Sequence, residues 1–97
     1  MLRRGRRPAI VVQGEAASRS LPTVLLVPLT TQLDAQRFPG TVLIEPDAEN
    51  GLPRRSVAMV FQLSVPDRRF VGDRLGAVSE ATLTAIWAAF DELTERQ

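Results

Sequence analysis

Ninety-seven residues with 44% hydrophobic side chains make one domain, residues 1–97, with a single modest core and no length for a second. Cysteine, histidine and tyrosine are absent, which excludes a disulfide framework, a Cys or His metal site, a Cys nucleophile and a Ser-His-Asp relay. The net charge is only +1, and all twelve cations are arginine: eleven stand against seven acids in residues 1–74, and one against four in 75–97. A basic strand region suited to a polyanion therefore precedes an acidic tail.

Residues 1–7 form a basic lead-in. Pro8 lacks a ladder N–H and belongs at a strand's first position or edge, and residues 9–13 read as a buried strand. Residues 14–22, small and polar, read as a loop. The almost wholly apolar run 23–29 predicts a second strand covered on both faces, followed by a polar connection over 30–39. A third short strand is expected at 40–45. Asp47, Asn50 and Gly51 mark 46–53 as a turn-rich loop. Residues 56–65 are a long strand-like run whose period of two puts Gln62 and Ser64 on the less apolar face. Residues 66–69 turn the chain, and 70–78 supply a last strand or a bent pair about Gly72 and Gly76.

Ser79 is an N-cap with Glu80 in the first turn. Leu83, Ile86, Trp87, Phe90 and Leu93 recur at helical spacing and predict an amphipathic helix over 79–95. The stripe is expected in the core, with part of it open as a dimer contact. The fold class is mostly β with one C-terminal helix, five or six curved strands closed into a small barrel. No apolar run approaches the roughly eighteen residues of a membrane span, so a cytoplasmic protein without a membrane partner is expected.

The polar clusters are placed for chemistry. Arg6 and Arg7 enter the first strand, and Thr30, Thr31 and Gln32 leave the second. If those strands pair antiparallel, a guanidinium and a hydroxyl share one rim, as an anionic phosphodiester needs.

The order of landmarks resembles the MazF/PemK family of toxin endoribonucleases. It runs Gly5-x-Arg7-Pro8-Ala9-Ile10-Val11-Val12, then Val27-Pro28-Leu29-Thr30-Thr31, then Phe38-Pro39-Gly40-Thr41-Val42-Leu43-Ile44. Ser56 to Leu63 and Asp73-Arg74-Leu75-Gly76-x-Val78-Ser79 follow, before the closing helix. The resemblance implies an SH3-like barrel of the MazF/PemK/CcdB toxin type and a homodimer inhibited by a cognate antitoxin. It also implies cofactor-free, metal-independent cleavage of single-stranded RNA at short motifs, by attack of the 2′-hydroxyl on the adjacent phosphorus to leave a 2′,3′-cyclic phosphate.

On that resemblance Arg7 and Thr30 match the catalytic pair, and Gln62 matches a glutamine beside the RNA groove. Arg7 would stabilise charge on the phosphoryl oxygens, and Thr30 would orient the phosphate or the 2′-hydroxyl. Arginine is a poor general base, so the proton acceptor is unassigned. Arg6, Thr31, Gln32, Arg54, Arg55, Arg68 and Arg69 are candidate RNA contacts, a solvated turn being the alternative for the last four. Phe38 and Phe70 are the exposed candidates for base stacking.

The chain departs from the family pattern at its start, where a Gly-Asp/Glu-Ile/Val-Trp strand and a Gly-Ser-Glu loop are usual, so the first strand is expected to be missing and the barrel edge open. Ser64 also stands where a basic residue is common. These departures keep open a second reading, a non-catalytic barrel that binds RNA, antitoxin or a sister toxin. A third, a gyrase-inhibiting toxin, conflicts with the polar end Thr94-Glu95-Arg96-Gln97.

Overall fold

The computed structural model describes residues 7–95; the lead-in up to residue 6, with Arg6, lies outside the described residues. The sheet has four antiparallel strands, β1 (Ala9–Val11), β2 (Leu26–Thr30), β3 (Thr41–Ile44) and β4 (Ser56–Met59), in the order β1-β2-β4-β3. β1 is the sheet's edge among the described residues, with Ala9 opposite Pro28 and Val11 opposite Leu26. β2 is sealed on both faces, as its apolar run demands: Leu26, Val27 and Leu29 are all buried. Val27 and Leu29 join Ile10, Ile44, Ala58 and Val60 in one core.

β4 is shorter than the expected strand over 56–65, and the difference shapes the site. Leu29 faces Ala58, yet Leu26 faces Ser64, so three steps along β2 are matched by six along its neighbour. The surplus residues, Val60–Gln62, leave the ladder as a 3₁₀ turn. It is closed by the Leu63 amide on the Val60 carbonyl at 3.0 Å. Pairing then resumes, Leu26 and Ser64 exchanging N–H···O bonds of 2.9 and 3.0 Å.

Pro28 explains where the break falls. Amide directions alternate along a strand, so Pro28 directs its nitrogen to the same neighbour that receives the Leu26 N–H, and it has no hydrogen to give. The extruded turn falls opposite that gap. A proline in a central strand therefore costs the sheet no ladder bond.

Two other expectations change. Residues 14–22 contain a short helix, α1 (Glu15–Ser20), and not only a loop. Ala16 and Ala17 favour helix, and Glu15 and Arg19 sit at the ends that the macrodipole prefers. Pro22 then stops it, holding Leu21 extended at φ −98° and ψ 148°. The last strand expected over 70–78 is absent, so the described residues form a sheet of four strands and not five or six. After a 3₁₀ turn at Arg68–Phe70, capped by the Asp67 side chain, the chain runs as an irregular strap to Ser79. The strap crosses the 46–53 loop instead of joining the sheet. Ala77 donates its N–H to the Glu49 carbonyl at 2.8 Å, and Gly76 lies against the Glu49 and Asn50 backbone, where a Cβ has no room.

The C-terminal helix, α2 (Glu80–Thr94), follows its sequence pattern. Ser79 Oγ accepts the Thr82 N–H at 3.1 Å as the N-cap. Ile86 and Ala89 are buried, with Leu83, Phe90 and Leu93 packed beside them, and the helix lies against β3 and the 60–62 turn. Trp87 departs from the expected core stripe: it stands at the flank, 44% exposed, edge-on to Phe90 at 6.1 Å between centroids. No helix among the described residues is long and apolar enough to cross a membrane.

Candidate functional site

Three separate elements bring the polar residues together. Arg7 precedes β1 and Thr30 ends β2, and the antiparallel register sets them side by side, the Leu29 amide donating to the Pro8 carbonyl at 3.2 Å between them. Gln62 closes the extruded 3₁₀ turn. A second 3₁₀ turn, Leu33–Arg37, forms the facing wall with Asp34, Arg37 and the following Phe38. The result is a groove of about 360 Å³ lined by Arg7, Thr30, Gln32, Asp34, Ala35, Arg37, Phe38, Met59 and Gln62.

The groove's hydrogen-bonding capacity is directional. Thr30 Oγ1 accepts the Gln32 amide at 3.1 Å, which engages one lone pair and leaves its O–H to donate. Arg37 Nη1 holds Asp34 Oδ2 at 3.1 Å. Two arginines stand against one aspartate on the walls, so the groove is net positive and favours an anion. Asp34 is the carboxylate that lines it among the described residues.

Arg7, Thr30, Gln32 and Gln62 thus converge, with the stacking candidate Phe38 beside them, and the other sequence candidates among the described residues do not. Thr31 is exposed but outside the groove. Arg54 and Arg55 are exposed at the entry to β4, and Arg55 Nε pairs with the Glu45 carboxylate at 3.0 Å. Arg68 donates to the Ser18 carbonyl, tying its turn to α1, while Arg69 Nε sits 3.4 Å from the Asp67 carboxylate. Asp34 and Arg37 were hidden in what reads as a polar connection. Their i, i+3 spacing is the signal of a helical turn that was available.

A larger cavity of about 510 Å³ lies between the β1 edge and the strap. Leu26, Leu29, Leu52 and Leu83 line it, and it shares Arg7 but none of Thr30, Gln32 and Gln62. The smaller groove is where polar groups of complementary kinds meet.

These elements define a small antiparallel β fold closed by a C-terminal helix, with a polar groove at the β1–β2 rim. A family model described as PemK-like, MazF-like toxin of type II toxin-antitoxin system matches residues 3–94, and the chain belongs to that family. The Staphylococcus epidermidis protein Endoribonuclease MazF is 25% identical over 87 residues, covering 90% of this chain and 72% of that protein. Among solved structures, Mycobacterium tuberculosis toxin MazF-mt6 matches with a TM-score of 0.81 at 21% identity, over 94% of this chain and 88% of that one. A mycobacterial endoribonuclease solved in complex with its cognate antitoxin matches at 0.77 and 24% identity, over 94% and 82%. The mostly-β fold with a C-terminal helix is the one that these structures share.

Proposed function

We propose that this chain is the toxin of a type II toxin–antitoxin pair and acts as an endoribonuclease on single-stranded RNA. The observation that carries the reading is the convergence of Arg7, Thr30 and Gln62, from three separate elements, on one net-positive groove. In the reaction, the RNA 2′-oxygen forms a bond to its own phosphorus while the bond from phosphorus to the 5′-oxygen breaks. The products are a 2′,3′-cyclic phosphate and a 5′-hydroxyl.

Arg7 spans the non-bridging oxygens, where a guanidinium fork matches the developing charge. The Thr30 O–H donates to the same phosphate. Asp34 takes the 2′-hydroxyl proton, and the departing 5′-oxygen is protonated from solvent, so the charge balances without another group. Gln62 and Gln32 hold the flanking backbone. A free 2′-hydroxyl is essential to this chemistry, and a 2′-deoxy nucleotide at the cut is inert.

The family and the relative solved with its antitoxin support a cognate antitoxin as partner. Exposed Trp87, Phe70 and Leu75 support a homodimer, which light scattering checks: a concentration-independent monomer mass contradicts it. The function is tested by incubating purified protein with a long single-stranded RNA in EDTA and mapping the ends. Discrete cuts ending in cyclic phosphate, lost in Arg7→Ala, are expected. A folded wild-type chain that leaves the RNA intact points instead to a binding barrel.

A further inference from the structure

We propose that Phe38 and Phe61, with Arg37, form a stacking subsite for an unpaired nucleobase flanking the scissile phosphate; the proposal rests on the RNA-cleaving reading above. The two rings are 43% and 38% exposed, lie 5.5 Å apart between centroids and are inclined at 57°. The Arg37 guanidinium sits 4.7 Å from the Phe38 centroid. Apolar surface of this kind on a groove wall leaves water at a disadvantage, and a flat π-system is the ligand that matches it.

Position selects this pair over the other exposed aromatics. Phe38 lines the groove that holds Arg7 and Thr30, whereas Phe70 and Trp87 do not. Phe61 stands behind Phe38 and not on the groove wall itself: the three surplus residues leave the ladder, which sets Phe61 beside the groove-lining Gln62 in one 3₁₀ turn and against the Phe38 ring. Phe38 is pinned through its backbone, its N–H donating to the Ala35 carbonyl at 3.1 Å and its carbonyl accepting from Thr41 Oγ1 at 3.1 Å. A ring held this way keeps its place without being buried, as a binding platform requires.

The subsite's chemistry sets what it reads. A π-face contacts any base, so the platform supplies affinity and register more than base identity. Arg37 adds charge at the same point, favouring the phosphate that follows the stacked base. An intact duplex, whose bases are already stacked, gains nothing from it.

The test uses the full chain and a short single-stranded RNA containing the mapped cut, with a 2′-deoxy nucleotide there to block turnover. 2-Aminopurine replaces each flanking base in turn, since stacking quenches its fluorescence. We expect quenching at one flanking position, and Phe38→Ala and Phe38→Leu to weaken binding roughly 5- to 150-fold, with Phe38→Trp restoring it. An abasic nucleotide at that position should weaken the wild type similarly and remove the difference between wild type and Phe38→Leu. In turnover the loss should fall on KM more than on kcat. Equal affinity of wild type and Phe38→Leu, or an undiminished difference on abasic RNA, overturns the subsite while leaving Arg7-dependent cleavage intact. A change of oligomeric state in Phe38→Leu also overturns it, assigning the rings to a protein interface. If the wild type neither cuts nor binds RNA, both readings fall together.

Discussion

The Thr30 hydroxyl accepts the amide of Gln32 at 3.1 Å, and that one bond decides what the hydroxyl can offer a substrate. With one lone pair engaged, the O–H is still available to donate within the groove that Thr30 lines together with Arg7. Thr30→Val keeps the β-branched shape and removes both functions; Thr30→Ser keeps both. Cleavage rate should fall about 10²- to 10³-fold in the valine variant, the usual loss for one donor to a developing oxyanion, and remain within about tenfold in serine. Single-turnover kinetics on one RNA checks this, and equal rates for valine and threonine remove Thr30 from the reaction.

Asp34 tests the assignment of the proton acceptor. Asp34→Asn removes the acceptor but keeps the side chain's shape, and the rate should drop about 10²- to 10⁴-fold, the range for general base work. Arg37→Gln breaks the same ion pair without touching the carboxylate. If the pair merely organises the turn, both variants should suffer alike. A much larger kcat defect in Asp34→Asn than in Arg37→Gln supports the base, and equal defects argue against it. Thermal stability should hardly move in either, because both partners are largely exposed.

How far the site was legible in the sequence depends on local register. The Arg7–Thr30 rim followed from two apolar runs with polar ends, since antiparallel pairing needs only their order. Ser79 and the stripe of Leu83, Ile86, Phe90 and Leu93 likewise announced α2. The 3₁₀ turn at Val60–Gln62 did not show, because Met59, Phe61 and Leu63 keep a strand's alternation straight through it. Pro28 was the clue to that break, and it lies in the opposite strand. The strap over 70–78 has strand composition, yet Gly76 is held against another loop, a tertiary contact that no local pattern encodes. Trp87 stands next to Ile86 in a stripe whose width, not period, decided which of them is buried.

Gly40 links the two walls of the groove, following Phe38 and Pro39 and receiving the Val60 amide on its carbonyl at 2.9 Å. Its φ of +74° is left-handed, and a Cβ there would approach Leu93 Cδ1 to 2.6 Å. Gly40→Ala should therefore cost on the order of 2–4 kcal/mol, combining the left-handed penalty of about 1–2 kcal/mol with displacement of Leu93. For a domain of this size that lowers Tm by roughly 10–20 °C. Adding Leu93→Ala relieves the clash but not the backbone, so the double mutant should be more stable than the sum of the singles predicts. Strict additivity in a thermal melt would mean that the helix end does not press on Gly40.

Salt dependence separates the arginines of the groove from those at the turns. Each phosphate neutralised on a single strand contributes about −0.7 to the slope of log K against log salt. Arg7→Gln and Arg37→Gln should each flatten the slope by about that amount, since both guanidiniums line the groove. Arg68→Gln and Arg69→Gln should change it less, because those side chains are occupied with the Ser18 carbonyl and the Asp67 carboxylate. Titrations of a short non-cleavable RNA between low and physiological salt provide the measurement. A larger change for Arg68 or Arg69 than for Arg7 would move the RNA path off the groove and onto the face carrying α1 and the 66–70 turn. In that event Arg7 and Thr30 would lie away from the substrate, and the assigned chemistry would fail along with the path.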